Sequence, residues 1–458
     1  MSDAAAERLL ARRSVDGAEA AALRDGIDKC VHCGFCLPSC PTYMLWGEEM
    51  DSPRGRIYLM KARLEGRAEM TDGFVGHFDA CLGCMACVTA CPSGVQYAPL
   101  IEATRGQIER QHSRSLGDRF FRSAIFAVMP YPARLRCTLA PLAMLGSVGR
   151  VLWTRPAAGS ERTRPTSGLF TRLRAALSLA PRVTLSSLFA PAVPTRTPAV
   201  GARRLTVGLL TGCAQRVLFP QVNSATVNVL AAEGCDVIAP ATQGCCGALA
   251  LHAGRLDDAR CFARSTIAAF EEAGVDRDID HIVVNAAGCG SSMKEYGQLL
   301  ADDPAWAERA RAFSAKVRDA NELVDELGPP RATRHPLKLR VAYQDACHLA
   351  HAQGIRQAPR NLLASIPGVE LLPIAEADVC CGSAGIYNLV EPETAQQLGD
   401  RKAGCIAAVT PDVVASANPG CALQIAAAAR RRGQEWRILH PIEILDMSIK
   451  GKRLEAGG

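Results

Sequence analysis

Apolar and polar residues follow two different patterns along the chain. Up to about residue 110, the apolar positions fall in short helical stretches between cysteine-rich turns, and no run of β-branched residues is long enough for a strand. From about residue 205, strand-like apolar runs alternate with stretches of helical periodicity, which predicts α/β domains with mostly parallel sheets. Helices are predicted at residues 222–233, 257–273, 292–300, 359–365, 394–409 and 423–431.

Cysteines mark an internal repeat in the C-terminal half. In each copy a strand-like run ends at a cysteine, a vicinal pair followed by glycine comes next, and another strand-like run leads to a last cysteine. The corresponding landmarks lie 134, 135 and 132 residues apart, which indicates two copies of one domain. Because each landmark follows a predicted strand, we expect the cysteines at the carboxyl edge of the sheets, where open α/β sheets bind ligands. They are Cys213, Cys245, Cys246 and Cys289 in the first copy and Cys347, Cys380, Cys381 and Cys421 in the second.

Composition narrows the class of protein. The 458 residues include 48% hydrophobic residues and 20 cysteines, which excludes a disordered chain and a disulfide-stapled miniprotein. The sequence begins without an apolar signal region, so we expect a cytoplasmic protein with reduced cysteines. The longest uncharged stretches, residues 137–149 and 183–195, are shorter than a membrane-spanning helix requires. We place the domains at residues 20–110, 111–204, 205–335 and 336–450.

The second of these segments is rich in arginine. Residues 105–204 contain 17 Arg, no Lys and three acidic residues, a net charge of +14. One interpretation is a solvated connector whose arginines pair with acids elsewhere. The other is a surface that lies on an anionic membrane or docks a membrane partner, because apolar side chains are interleaved with the arginines. These apolar residues are Phe120, Phe121, Phe126, Met129, Tyr131, Leu142, Leu145 and Trp153. No segment resembles a nucleic-acid recognition module, so we expect no nucleic-acid partner.

The N-terminal segment carries the spacing C-x2-C-x2-C-x3-C-P twice. In two-cluster ferredoxins the first three cysteines of such a run bind one cubane and the fourth binds the other. The spacing therefore predicts two 4Fe–4S clusters, the first held by Cys30, Cys33, Cys36 and Cys91 and the second by Cys81, Cys84, Cys87 and Cys40. Structural zinc is the alternative, but zinc sites typically use two separated ligand pairs.

Several residues beside these runs have two interpretations. Gly34, Gly83 and Gly94 either let backbone amides approach the sulfurs or are ordinary turn glycines. We expect His32 to be a neighbouring or surface residue, because the ligand count is already complete. The cysteines without a counterpart in the repeat, Cys137, Cys235, Cys261 and Cys405, are expected to be packing residues.

These motifs resemble a known family. The doubled run is similar to the bacterial-type ferredoxin modules of respiratory dehydrogenases, and Ser52-Pro53-Arg54-Gly55-Arg56 matches a segment of such iron–sulfur subunits. Over residues 20–450 the chain resembles the iron–sulfur subunits of glycolate oxidase (glycolate dehydrogenase). The matching strings are TGCAQ from Thr211, CCGAL from Cys245, NAAGCGS from Asn285, DACHLAHAQG from Asp345, CCGSAGIYN from Cys380 and NPGC from Asn418. The resemblance implies an α+β multidomain protein, in which an all-α ferredoxin-type domain precedes two α/β CCG domains.

The four cysteines of each CCG domain are candidate ligands of a further iron–sulfur cluster or metal ion, because soft thiolates suit both. Related heterodisulfide reductase subunits hold non-cubane clusters with an additional cysteine, which Ala286 and Asn418 replace here. Buried or reactive thiols are the alternative. His348 and His351, three residues apart, are either ligands or proton carriers, or they are capping or hydrogen-bonded core residues.

The number of electrons that the reaction releases at once implies a partner chain. Oxidation of a 2-hydroxy acid delivers a hydride, which iron–sulfur clusters do not accept, and no dinucleotide-binding G-x-G-x-x-G follows a predicted strand. We therefore expect no catalytic residue in this chain. The resemblance implies an oxidoreductase subunit that takes electrons from an FAD-binding glycolate dehydrogenase subunit, with a further flavoprotein-like subunit, and passes them to the respiratory quinone pool at the cytoplasmic face of the inner membrane. The alternatives are an iron–sulfur subunit of anaerobic glycerol-3-phosphate or lactate dehydrogenase, and a heterodisulfide-reductase-like thiol reductase.

Overall fold

The structure is a computed structural model that describes residues 17–144, 168–180, 184–274, 279–452 and 454. It divides into two units, of which the first ends at Ser113 and the second begins at Arg114. Within the described residues, no helix combines the length and hydropathy needed to cross a bilayer.

The N-terminal unit contains helices and turns, as its sequence pattern predicts, and none of its described residues forms a strand. Side chains of Ser52 and Thr71 cap two of the helices by accepting hydrogen bonds from the N–H groups of Gly55 and Phe74. Phe78, Leu100 and Ile101 lie at the centre of the core. The helices are α1 (Gly17–Asp28), α2 (Pro41–Trp46), α3 (Pro53–Leu64), α4 (Asp72–Asp79), α5 (Ala86–Thr89) and α6 (Tyr97–Gln111).

The Arg-rich segment begins the C-terminal unit with four described helices. They are α7 (Leu116–Val128), α8 (Pro132–Met144), α9 (Leu169–Leu179) and α10 (Leu185–Leu188). Asp118 on α7 forms ion pairs with Arg114, Arg122 and Arg172. The connector interpretation expects acids outside the segment, whereas in these three ion pairs the acid belongs to the segment itself.

The apolar side chains of that segment divide between interior and surface. Phe121 and Phe126 are buried against Leu251 and Ile386 of the repeated domains, so they are not available to a membrane. Met129 packs against the same group, whereas Phe120 and Tyr131 are 71% and 40% exposed. Leu145, Trp153 and the side chain of Leu142 lie outside the described residues.

The first repeat forms a five-stranded sheet in the order β1-β3-β2-β4-β5, parallel except for β1. Five of the six residues of β2 are buried, as expected for an interior strand covered on both faces. Its strands are β1 (Arg196–Thr197), β2 (Leu205–Leu210), β3 (Cys235–Ile238), β4 (His281–Val284) and β5 (Val317–Asp319). Its helices are α11 (Gln215–Leu218), α12 (Pro220–Ala232), α13 (Ala248–His252), α14 (Leu256–Glu272), α15 (Ala287–Lys294), α16 (Tyr296–Leu299), α17 (Ala307–Lys316) and α18 (Ala320–Glu326).

The second repeat forms a four-stranded parallel sheet in the order β7-β6-β8-β9. Its strands are β6 (Leu339–Gln344), β7 (Val369–Leu372), β8 (Val413–Ser416) and β9 (Arg437–Leu439). A π-helical turn at His348–Ala352 follows β6. The helices are α19 (Ala358–Ala364), α20 (Tyr387–Val390), α21 (Pro392–Ala407), α22 (Pro419–Arg431) and α23 (Pro441–Ile449). The predicted α+β class, with an all-α domain before two α/β repeats, is confirmed.

One hydrophobic core joins the two sheets. Val207 and Val283 of the first sheet belong to the same buried group as Val341 and Val413 of the second. Helices α12 and α23 pack against each other within this group. The two repeats therefore hold a fixed arrangement relative to each other, and their cysteine-bearing edges are positioned by one continuous interior.

Candidate functional site

Cysteines from both N-terminal motifs line one pocket. Cys30, Cys33 and Cys36 of the first motif face Cys91 of the second, and Cys87 also lines the pocket. Burial raises the pKa of the Cys30 thiol, and the nearby Cys91 and Cys33 act in the same direction. The four residues assigned to the first cluster are thus brought together, and their role as ligands stays a prediction.

The second set gathers around Cys87. Burial raises the pKa of its thiol well above the usual range, and the neighbouring Cys84, Cys81 and Cys40 add to this effect. Cys40 and Cys81 are 6% and 7% exposed. Here too the last cysteine of one motif joins the first three of the other, which is the crossed arrangement that the spacing predicts.

The segment Ser52-Pro53-Arg54-Gly55-Arg56 connects the two sets, and its composition has a local physical reason. Ser52 caps α3 and Pro53 occupies the first helical turn, where a missing N–H costs nothing. A Cβ atom on Gly55 would lie 2.0 Å from the Glu49 carbonyl oxygen, so only glycine fits. Arg54 donates to the carboxylate of Glu49 and, through Nη1, to the carbonyl of His32 at 3.1 Å, beside the first pocket.

Arg56 points to the second set instead. Its Nη1 lies 4.0 Å from Cys40 Sγ, and its Nη2 lies 3.4 Å from the Asp51 carboxylate. Burial opposes its charge, but the neighbouring Cys81, Tyr97, Cys40 and Asp51 raise the pKa of this guanidinium overall. A buried permanent cation therefore lies beside two of the four cysteines assigned to the second cluster.

Other groups around Cys81 favour negative charge on its sulfur. Burial opposes ionisation, but Arg56 and Arg105 lower the pKa of the Cys81 thiol overall. The N–H of Gly83 approaches Cys81 Sγ at 3.4 Å, and the hydroxyl of Tyr97 lies 3.9 Å from it. Hydrogen bonds and cations of this kind stabilise the anionic thiolates of a cluster, so these residues fit a 4Fe–4S group.

The predictions for the residues beside the motifs have different outcomes. Gly83 supplies the backbone donor expected of it, whereas at Cys91 the donor is Val95 N–H, 3.5 Å from Sγ, rather than Gly94. Gly34 has φ of +86° and a Cβ there would lie 2.7 Å from Arg54 Nη1, so it makes room for that side chain. His32 is exposed, which agrees with its expected surface position.

In the first repeat, all four predicted cysteines lie at the carboxyl edge of the sheet. Cys213 follows β2, Cys245 and Cys246 follow β3, and Cys289 lies in the first turn of α15 after β4. The sulfurs of Cys213 and Cys245 are 3.5 Å apart. A hydrogen bond with Cys245, then burial, raises the pKa of Cys213 well above its usual range.

The second repeat places its cysteines in the same way. Cys347 follows β6, Cys380 and Cys381 follow β7, and Cys421 lies in the first turn of α22 after β8. Sulfurs of Cys347 and Cys380 are 3.9 Å apart. Hydrogen bonding to Cys380 is the main cause that lowers the pKa of Cys347 and of Cys381 well below the usual range.

The glycine that follows each vicinal pair is required by packing. Gly247 and Gly382 have φ of +84° and +88°, a region that L-residues rarely adopt. A Cβ on Gly247 would lie 3.1 Å from the Ala259 carbonyl oxygen, and one on Gly382 would lie 2.6 Å from that of Ala395. The glycine of each Cys-Cys-Gly motif thus lets the turn that carries the cysteines approach a helix, α14 in the first repeat and α21 in the second.

The two histidines near Cys347 differ. His348 Nδ1 lies 3.6 Å from Cys347 Sγ, beside the second set. His351 is buried, accepts from Arg356 Nη2 at 3.0 Å and lies with Nε2 3.0 Å from the Asp378 carbonyl. Of the two interpretations, the hydrogen-bonded core residue fits His351.

The two repeats meet at the turns before their last cysteines. Ala287 N–H donates to the Ala417 carbonyl at 3.1 Å, and Gly288 N–H donates to Asn418 Oδ1 at 3.3 Å. Asn418 Nδ2 in turn donates to Cys421 Sγ at 3.5 Å. Asn418, which replaces the additional cysteine of heterodisulfide reductase subunits, therefore forms hydrogen bonds to Cys421 of the second repeat and to the turn that carries Cys289 of the first.

A metal ion would need some rearrangement of these thiols. Among the described residues, no three or more His, Cys, Asp or Glu side chains already stand in the geometry of a metal centre, and this applies to all four cysteine sets. The vicinal cysteines of the repeats are 1% to 4% exposed, so a protein or bulky disulfide substrate has no direct access to them.

Sequence reasoning missed some functional neighbours and was wrong about two cysteines. The sequence pattern did not single out Arg56, Arg105 or Tyr97, because their approach to Cys81 depends on tertiary packing. Cys137 and Cys261 are exposed and are not packing residues, unlike Cys235 in the core and the partly buried Cys405. They lie on the solvent faces of α8 and α14, where the helical period gives a better guide than the residue type.

Comparison with known proteins agrees with this organisation. Residues 26–95 match the 4Fe-4S dicluster domain family, and residues 207–294 and 341–426 each match the family described as cysteine-rich domain (CCG). These matches confirm the ferredoxin-type module and the internal repeat.

Full-length relatives extend the match. A Bacillus subtilis protein named probable glycolate oxidase iron-sulfur subunit is 38% identical over 92% of this chain and 93% of its own length. The Escherichia coli glycolate oxidase iron-sulfur subunit is 37% identical over 92% of this chain and 94% of its own. Lactate utilization protein A of an Exiguobacterium species is 30% identical over 53% of this chain and 98% of its own. Because the first two matches run through the dicluster module and both cysteine-rich repeats, the chain belongs to the family of glycolate oxidase iron–sulfur subunits.

Proposed function

We propose that this chain is the electron-transfer subunit of a glycolate dehydrogenase complex that oxidises glycolate to glyoxylate. An FAD-binding partner subunit carries the hydride chemistry, and a further flavoprotein-like subunit belongs to the same complex. This chain then takes the electrons towards the respiratory quinone pool at the membrane. The observation that carries the proposal is the crossing of the two cysteine motifs, with Cys91 beside Cys30 and Cys40 beside Cys87, in a chain whose full-length relatives bear the name of such a subunit.

Two 4Fe–4S clusters, when bound, supply one-electron carriers that accept electrons singly. Cys30, Cys33, Cys36 and Cys91 would hold one, and Cys81, Cys84, Cys87 and Cys40 the other. Arg54 lies beside the first set and Arg56 beside the second, so each set has its own nearby cation. The burial of Cys40 and Cys81 keeps water away from the second set.

The test compares two electron acceptors in the purified complex. A dye takes electrons directly from the flavoprotein subunit, whereas a quinone analogue needs the iron–sulfur subunit. With Cys30→Ser or Cys81→Ser, we expect glycolate oxidation to continue with the dye and to fall at least tenfold with the quinone. Cys261→Ser, which changes an exposed cysteine outside all four sets, is the control and should retain both activities. Full quinone reduction in the Cys30 and Cys81 variants would refute the proposal.

Lactate is the second candidate substrate, because the Exiguobacterium lactate utilization protein A matches 98% of its own length to this chain. That match leaves about half of this chain uncovered, so glycolate is favoured. Supplying glycolate, lactate and glycerol 3-phosphate in turn to the assembled complex distinguishes them, since only the true substrate reduces the clusters.

A further inference from the structure

The loops of the two N-terminal cysteine motifs share one backbone feature. In the first loop His32 and Gly34 have φ of +54° and +86°, and in the second Gly83 and Met85 have φ of +62° and +61°. Counted from the first cysteine of each motif, these are the same two positions. Because the loops turn in the same way, the residues between their cysteines can be compared position by position.

The compared positions differ in their exposure to solvent. In the second loop Leu82 and Ala86 are 6% and 4% exposed. The first loop has Val31 and Phe35 at these positions, and they are 68% and 67% exposed. Within the described residues, the second loop is therefore covered by the protein itself, whereas the first loop presents two bulky apolar side chains to water.

Further side chains extend the surface of the first loop. Tyr58 on α3 is 45% exposed, and its ring meets the edge of the His32 ring with centroids 6.4 Å apart. The guanidinium of Arg67 lies 5.6 Å from the centre of the same tyrosine ring. Val31 and His32 line the pocket of the first cysteine set, and Cys33 of that set is exposed. We call four of these residues the loop face: Val31, His32, Phe35 and Tyr58.

His32 occupies its position at an energetic cost. A left-handed φ costs a residue with a side chain about 1–2 kcal/mol, and the glycine at the same position of the second loop avoids this cost. The side chain of His32 is exposed, so burial within the described chain does not offset the strain. Strained residues concentrate at functional sites, and a contact made outside this chain accounts for a histidine here.

Charge indicates the kind of partner that fits the loop face. Residues 20–104 contain seven basic and ten acidic residues, a net charge of −3, whereas the Arg-rich segment has a net charge of +14. The two arginines beside the face are paired with acids, Arg54 with Glu49 and Arg67 with Glu65. An anionic membrane attracts an excess of basic residues, which this module lacks. Aromatic and arginine side chains within a polar surround are typical of protein interfaces.

We propose that the loop face docks the FAD-binding subunit, so that electrons enter this chain at the first cysteine set. A donor seated on Val31 and Phe35 lies next to the exposed Cys33, whereas three cysteines of the second set are buried. The inference rests on the proposed function for the identity of the partner, because the flavoprotein is the protein donor and the quinone belongs to the membrane. Two successive one-electron transfers oxidise the reduced flavin, whose two protons go to solvent, and reduce the two clusters by one electron each.

The test measures how tightly the purified FAD-binding subunit binds the anaerobically purified full chain with its N-terminal clusters assembled. Phe35→Ser should weaken binding at least tenfold and Val31→Ser at least threefold, because each removes apolar area from the interface. Phe189→Ser and Val200→Ser are the matched controls, since these side chains are 63% and 66% exposed in the C-terminal unit, and they should bind as the parent does. Iron content and EPR verify that every variant retains its clusters.

His32→Gly separates docking from folding. Glycine removes both the side chain and the backbone strain, so affinity for the FAD-binding subunit should fall at least threefold while the thermal unfolding temperature does not fall. A loss of stability with unchanged affinity would show that His32 serves the fold alone and would contradict its place in the loop face.

Other occupants of the loop face give different results. The proposal is overturned if Val31→Ser and Phe35→Ser bind the FAD-binding subunit as tightly as the parent does. It is also overturned if, with that affinity unchanged, the same variants lose binding to phosphatidylglycerol vesicles or convert a dimer of this chain into monomers.

A single-turnover measurement distinguishes this failure from failure of the proposed function. Glycolate-reduced FAD-binding subunit is mixed with the parent chain and with Phe35→Ser at concentrations below saturation. Clusters of the parent chain that stay oxidised would refute the proposed function itself. Reduction of the parent and of Phe35→Ser at the same rate would leave that function standing and refute docking at the loop face.

Discussion

Arg56 Nη1 lies 4.0 Å from Cys40 Sγ in the interior of the N-terminal unit, with only 1% of the arginine exposed. Cys40 ends the first cysteine motif. After burial, the strongest influence on the pKa of the same guanidinium comes from Cys81, which begins the second motif. One buried cation thus lies beside cysteines from both motifs, as the crossed ligand assignment requires.

Replacing this arginine should change one cluster more than the other. In Arg56→Met we expect the reduction potential of the cluster at Cys40 and Cys81 to fall by about 60 mV or more, because the loss of a nearby cation disfavours the added electron. For one electron, 59 mV corresponds to about 1.4 kcal/mol. Stability should also fall by about 1–3 kcal/mol, because Asp51 loses its buried arginine and keeps the contact with His77 Nδ1 at 2.9 Å. Arg54→Met is the matched variant and should shift the other cluster. Redox titration followed by EPR measures both, and equal shifts of the two signals would contradict the assignment.

Single ligand substitutions test the crossing itself. We expect Cys91→Ser to remove the EPR signal that Arg54→Met shifts and Cys40→Ser to remove the one that Arg56→Met shifts, each with the loss of about four iron atoms per chain. If the motifs instead bind one cluster each without crossing, the two signals would be exchanged between these variants. Iron and acid-labile sulfide analysis accompanies the spectra.

The glycine after the second vicinal pair should be intolerant of alanine. Gly382→Ala combines a φ of +88° with a Cβ 2.6 Å from the Ala395 carbonyl oxygen, so a destabilisation above about 2 kcal/mol is expected. Gly433→Ala has a φ of +69° but no atom within 4 Å of the new Cβ, and it should cost about 1–2 kcal/mol. Thermal unfolding of the two variants gives the comparison. Equal losses would show that the approach to α21 is unimportant.

Acid sensitivity of the C-terminal unit should depend on His440. Burial lowers the pKa of His440 to about 3, and its Nδ1 accepts the Ile442 N–H that begins α23. Because the folded-state pKa lies below the unfolded value, this residue's contribution is present above about pH 6.5 and is lost towards pH 3, by about 1.4 kcal/mol per pH unit. His440→Asn keeps a capping acceptor and should show a shallower decline in denaturant unfolding across that range. Identical pH profiles would contradict the assignment.

Local sequence signals predicted most elements, because helical period and strand composition act over a few residues. The predicted helix at residues 222–233 forms at Pro220–Ala232, and that at 394–409 forms at Pro392–Ala407. The stretch at 292–300 is instead two helices, since the chain leaves helical geometry at Glu295 with ψ near 0°.

Cysteine spacing likewise predicted which thiols meet, since the repeat and the ferredoxin pattern specify it. The positions of the cations around these thiols could not be predicted from the sequence. The approach of Arg56 to Cys40, or of Lys402 to the loop before Cys380, depends on how helices pack. A lone lysine among the apolar positions of α21 was the available signal for Lys402. A buried charge in an apolar stripe calls for a partner, although the sequence does not name it.

The most direct test of the account is rapid-freeze EPR of the anaerobic complex after addition of glycolate. We predict that reduced 4Fe–4S signals appear on the timescale of glycolate oxidation, that they disappear when a quinone analogue is added, and that the signal assigned to Cys81 is absent from Cys81→Ser. Clusters that stay oxidised while glycolate is converted and the quinone is reduced at full rate would contradict electron transfer through this chain.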